Sequence, residues 1–155
     1  MVQWYKDGEL SIFLSERPHV CMRYVLPSST VEERKSIEKY PFINKKQLEV
    51  ALFDNIQKRS YRFVIPKGYC YDGASIPRLF WRVIGSNTDN RFLIPALIHD
   101  VLCENHNYVN SDRNFSSRVF RALLISSGVN KFKAQMMYLS VDNFQRLCGW
   151  DEEKS

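Results

Sequence analysis

The chain has 155 residues, 45% hydrophobic and 25% charged, and a formal net charge of +5, the size and balance of one ordinary globular domain with a sizeable core. No apolar run approaches the roughly 20 residues that a membrane span needs, and Met1 to Asp7 lack the basic-then-apolar pattern of a secretory leader. The positive balance favours anionic partners such as nucleic acid, lipid headgroups or acidic proteins, without choosing among them.

In chain order, residues 10–14, 19–26, 48–53 and 61–65 are short and rich in β-branched or aromatic residues, which predicts strands. Between the second and third lies the polar segment 27–46, with Pro27-Ser28-Ser29, Glu32-Glu33-Arg34-Lys35 and Lys45-Lys46. It reads as an exposed insertion loop carrying one short helix that starts at Ser29 or Thr30. Past Pro66-Lys67-Gly68 the pattern turns helical, with a short helix over 77–84 and a longer one over 90–104. In the longer helix Phe92, Ala96, His99 and Cys103 share one face, and Pro95 fits best as the first regular residue.

Residues 105–110 turn the chain, Ser111 is placed to cap a third helix ending at Ser126, and Gly128 terminates it. Asn130 caps a fourth helix that reaches Leu147. Phe115, Val119, Ala122 and Leu123 form the apolar stripe of the third helix, and Phe132, Met136, Leu139 and Leu147 that of the fourth, both read as core. Residues 151–155 form a charged, frayed tail. The predicted fold is α+β: an N-terminal antiparallel sheet packed on a C-terminal bundle of three or four helices, in a single domain over 1–150.

Two segments carry candidate chemistry. The turn Asp72-Gly73-Ala74-Ser75-Ile76-Pro77 can put a carboxylate and backbone carbonyls on a tight loop, and the adjacent His99 and Asp100 point about 100° apart on their helix, free for two different tasks. Each has a plainer reading. Asp72 is equally a turn residue, His99 a hydrogen-bonded core histidine, and Asp100 a partner for Arg78, Arg82 or Arg91. His99, Cys103 and His106, with Cys70, make a weak zinc pattern, because structural zinc sites pair ligands from two separate knuckles. Ser75 suits an N-cap before Pro77 better than a nucleophile. The four cysteines, Cys21, Cys70, Cys103 and Cys148, form no Cys-x-x-Cys pair and read as reduced cytosolic thiols. Arg62, Arg78, Trp81 and Arg82, with Lys58, Arg59 and Lys67, would make a basic surface laced with aromatics for nucleic acid or an acidic protein. Strand alternation, however, turns Arg62 away from Tyr61 and Phe63.

Phe63-Val64-Ile65-Pro66-Lys67-Gly68-Tyr69, the acidic turn, Leu79-Phe80-Trp81, Arg91-Phe92 and Ile98-His99-Asp100 occur together and in order. With Arg118-Val119-Phe120 and Ala134-Gln135-Met136-Met137-Tyr138 they resemble a family of small phage and prophage proteins known as a domain of unknown function, family 1353. The resemblance covers residues 61–144. Much more distantly, the order of parts is similar to the secreted bacterial phospholipases A2, with their aspartate-glycine turn and phospholipase-A2-like helical pair. That likeness implies Asp72 and Asp100 as calcium ligands and His99 as the base that activates water. Ser117 stands where the resemblance calls for a carboxylate to orient the histidine, and a serine cannot stabilise an imidazolium in that way. Cys103 stands where an aromatic is called for, and Asp112 lies more than a helical turn from Ser117.

Two functions follow as expectations. One is a noncatalytic phage or prophage accessory protein that binds a host or phage macromolecule, for example as an inhibitor of a host defence system. The other is a cation-dependent, phospholipase-A2-like hydrolase with a His-Asp site. Either would act in the host cytoplasm, with the virion as the alternative location.

Overall fold

Strand alternation sets the architecture of the N-terminal half. In Leu48–Asp54 the side chains of Leu48, Val50, Leu52 and Asp54 are buried, and in Arg59–Ile65 those of Tyr61, Phe63 and Ile65, so each strand turns one face to a common core. The computed structural model describes residues 1–71, 90–105 and 112–147. Among these the elements are β1 Val2–Lys6, β2 Leu10–Leu14, β3 Val20–Met22, α1 Val31–Lys39, β4 Phe42–Asn44, β5 Leu48–Asp54, β6 Arg59–Ile65, β7 Cys70–Tyr71, α2 Asn90–Glu104, α3 Arg113–Ser126 and α4 Lys131–Leu147. One antiparallel sheet has the order β1-β2-β5-β6 and a smaller one β3-β4-β7. The β5–β6 register sets Leu48 opposite Ile65, Val50 opposite Phe63 and Leu52 opposite Tyr61.

The core runs from these inward strand residues to α2, where Phe92, Leu93, Ala96, Leu97, Ile98, Val101 and Leu102 are all buried, and on to Phe115, Val119, Phe120 and Leu123 of α3. The α+β expectation is met: antiparallel strands precede helices that pack on them, α2 against α3 and α3 against α4. No helix among the described residues is long and apolar enough to cross a membrane.

Local signals explain the element ends. Thr30 caps α1 by accepting from the Glu33 amide at 3.1 Å. At the end of α3 the Val129 amide donates to the Leu124 carbonyl (3.0 Å) and the Gly128 amide to that of Ile125 (3.1 Å). With Gly128 at φ 95°, this is the pair of bonds that closes a helix through a left-handed residue. Asn130 accepts from the Phe132 amide at 2.7 Å and starts α4.

Several expectations are corrected. The cap of α3 is Asp112, whose carboxylate accepts from the Phe115 amide at 2.6 Å; a carboxylate at that position also meets the positive end of the helix dipole. Ser111 and the predicted 77–84 helix lie outside the described residues. Pro95 sits inside α2, because burial of Phe92, Leu93 and Ile94 in the preceding turn outweighs the one lost donor. Strand pairing over 19–26 contracts to β3, and residues 27–46 contain β4, whose Phe42 is buried and pairs with Tyr71 of β7. β1 was not predicted at all. The α4 stripe is inverted: Phe132, Met136, Leu139 and Leu147 face outward, while Ala134, Met137 and Val141 are the buried residues. A salt bridge of 2.6 Å between Arg113 and Asp142 and the small Ala134 bring α4 close to α3 by its less apolar side.

Replacing Gly128 by alanine meets no steric obstacle, since nothing lies within 4 Å of the added carbon. The cost is the left-handed backbone alone, about 1 kcal/mol. Gly128→Ala should therefore lower the thermal midpoint by several degrees with an unchanged circular dichroism spectrum.

Candidate functional site

The long buried helix α2 carries both candidate residues and sends them in different directions. His99 is fully buried at 0% exposure. Its ring packs on Phe120 of α3, centroids 4.9 Å apart, and the Cys103 sulfur lies 3.6 Å from Nε2 and 3.8 Å from Nδ1. Burial pushes the imidazole pKa down to about 3. The ring is therefore neutral at physiological pH, and a water cannot reach it without the packing opening.

Asp100, 2% exposed, turns toward β7. Its charge, after burial itself, holds the Tyr71 hydroxyl well above the ordinary tyrosine range. The Tyr71 hydroxyl donates to the Leu93 carbonyl at 2.8 Å. Asp72, Arg78, Trp81 and Arg82 themselves lie outside the described residues. On the same side the Tyr69 hydroxyl donates to the Glu104 carboxylate, and burial foremost raises its pKa. Next to this pair an open hollow of about 230 Å³ is lined by Phe63, Ile65, Pro66, Tyr69, Val101 and Asn105.

Ser117 is buried at 0% exposure on α3. Its hydroxyl has two acceptors in reach, the Arg113 carbonyl at 3.1 Å and the Asp142 carboxylate at 3.0 Å. A carboxylate does arrive near this position, but from α4, and it is committed to Arg113. Sequence reasoning missed Asp142; its signal was a lone acid in the otherwise basic and neutral α4. Reasoning also missed the ion pair between Arg118 and Asp54, 2.6 Å long with Asp54 at 0% side-chain exposure. Arg118 falls three residues after Phe115, on the face of α3 read as purely apolar, and that placement was the available clue. Arg62 is exposed on β6, opposite the buried Tyr61 and Phe63, as alternation requires.

Calcium takes six to eight oxygen ligands. Among the described residues Asp100 supplies one carboxylate and the Tyr71 hydroxyl is engaged with backbone, so these residues do not by themselves fit the ion. No group of three or more His, Cys, Asp or Glu among the described residues is placed to hold a metal, and His106 of the zinc pattern lies outside the described residues. Cys21 and Cys70 are free thiols.

A family model described as "Protein of unknown function (DUF1353)" matches residues 50–141. Two curated proteins of Sinorhizobium fredii (strain NBRC 101917 / NGR234) are similar. The uncharacterized protein y4jT is 34% identical over 83 residues, 54% of this chain and 24% of that protein. The uncharacterized protein y4iH is 34% identical over 79 residues, 51% of this chain and 32% of that protein. The matched region thus spans a quarter to a third of the length of these relatives. No solved structure gives a significant match.

The buried neutral histidine has a measurable consequence. Its folded pKa lies below the 6.5 of the free side chain, so the unfolded chain binds the extra proton first. Stability is fully present above pH 6.5 and declines as pH falls toward 3, by on the order of 3 kcal/mol between pH 6.5 and pH 4. In urea titrations at those two pH values, His99→Gln should remove most of that decline.

Proposed function

The chain belongs to the family described as protein of unknown function (DUF1353), and within it we propose that this member is a phage or prophage accessory protein that works by noncatalytic binding to a host or phage macromolecule, for example as an inhibitor of a host defence system. The observation that carries this reading is the state of His99. A ring that is wholly buried, packed on Phe120 and held neutral to about pH 3 is a poor general base, because a base poised for water needs both access and a pKa near the working pH. The engagement of Ser117 with an Asp142 carboxylate already neutralised by Arg113 supports the same reading: that cluster ties α3 to α4 instead of orienting an imidazole. The protein would act in the cytoplasm of the host cell, with the virion as the alternative site of action.

Two measurements test the proposal. A cation bound at a hundred times its dissociation constant would add about 2.7 kcal/mol of stability, which a thermal melt resolves easily. Melts in calcium, magnesium and zinc should superimpose on the metal-free melt, and phospholipid and ester substrates should not turn over. A calcium-dependent rise in melting temperature that Asp72→Asn and Asp100→Asn abolish, together with hydrolysis lost in His99→Gln, would instead establish the hydrolase. In infected-host lysate, the tagged full chain should recover a defined stoichiometric complex.

A further inference from the structure

The outward face of α4 has a composition that its packing leaves unused. Phe132, Met136, Leu139 and Leu147 are 72%, 45%, 49% and 83% exposed. They recur at i, i+4, i+7 and i+15, which at about 100° per residue is a single stripe along the helix. Basic residues border it. Lys133 and Phe144, the latter 42% exposed, lie along one edge; Lys131 and Arg146 lie along the other, all on exposed positions. Asn143 falls within the stripe and accepts from Arg146 at 3.0 Å, which holds that guanidinium beside the apolar side chains. Asp142 is the lone acid of α4 and is spent on Arg113.

We propose that this face of α4 docks on an anionic lipid surface. Charge decides the occupant. A second copy of the chain meeting the same face, parallel or antiparallel, would set Lys131, Lys133 and Arg146 against their own counterparts with no free carboxylate on either helix to offset them, so a symmetric pair is disfavoured. A surface of phosphate headgroups meets the basic edges with opposite charge. The acyl boundary beneath takes large apolar side chains from a helix lying in the interface plane, the arrangement of amphipathic surface helices. The face is a convex ridge along one helix, which suits a plane. This inference is independent of the macromolecule proposed above, since it uses none of the residues around His99.

The test is co-sedimentation of the full chain, including the acidic residues Asp151, Glu152 and Glu153, with vesicles of phosphatidylglycerol and phosphatidylcholine in equal parts and with vesicles of phosphatidylcholine alone. Binding should occur to the former, weaken with added salt, and be at least about tenfold weaker to the latter. Phe132→Asp with Leu139→Asp should reduce binding by roughly tenfold or more, and Lys133→Glu with Arg146→Glu by roughly fivefold or more for each charge. Ile56→Asp, at a 59% exposed position on the β5–β6 turn, should bind as the parent does. All four changed positions on α4 are exposed, and unchanged thermal melts will show that the variants fold. No binding to the anionic vesicles, equal loss in Ile56→Asp, or binding indifferent to the α4 changes overturns the proposal. So does concentration-dependent self-association abolished by Phe132→Asp, which would assign the face to a second copy instead.

Discussion

The enclosure of α2 is the constraint from which the rest of the molecule follows. From Phe92 to Leu102 every side chain of this helix is buried, which a surface helix with one apolar stripe cannot show. Something must therefore cover every side of it, and the sheet with α3 on the described sides does so. Whatever polar groups the helix carries must be neutral or partnered, because an isolated charge in such surroundings is costly. His99 meets this requirement by giving up its proton, and the Tyr71 hydroxyl reaches across to donate to the Leu93 carbonyl.

Around that helix the remaining charges are handled by pairing. Asp54 with Arg118 and Asp142 with Arg113 both place an α3 guanidinium on a carboxylate from another element. Deleting one partner of a buried pair typically costs more than the pair contributes, since an uncompensated charge is left behind. Among the described residues the Arg118 Nε and Nη1 and the Tyr61 hydroxyl, whose ring stacks on Phe115 with centroids 4.5 Å apart, have no hydrogen-bond partner. The two pairs are better understood as devices that fix how α3 sits on the sheet and on α4 than as large sources of stability.

Much of this was legible in the sequence where a local signal and burial agree. Residues 10–14 and 48–53 alternate or run apolar between turn residues, and 90–104 reads as helix because its apolar residues recur without pause. Gly128 and Asn130 mark a stop and a start by their own backbone chemistry. The misses have physical causes. β4 and β7 are very short strands whose pairing is decided by partners far along the chain, as Phe42 with Tyr71 shows, and β1 is an edge strand with no buried residue to mark it. The α4 inversion arose because periodicity identifies an apolar face but not which face meets a neighbour; Ala134 and the Arg113–Asp142 pair, both modest in a hydrophobicity count, decided it. For the candidate site, the adjacency of His99 and Asp100 was visible, but the depth of His99 depended on Phe120, which no spacing within α2 could reveal.

The β5–β6 hairpin turn contains Lys58 at φ 54°, a left-handed position without glycine. What holds the turn is Asp54: one carboxylate oxygen accepts from the Ile56 and Gln57 amides at 3.0 and 3.3 Å, and the other takes Arg118. A slip of one residue between the strands would reverse Tyr61, Phe63 and Ile65 and pull that carboxylate off α3 in the same motion. Strand alignment and helix seating are thus written into one side chain, so the hairpin and α3 should melt as one cooperative unit, with hydrogen-exchange protection rising and falling together across the two.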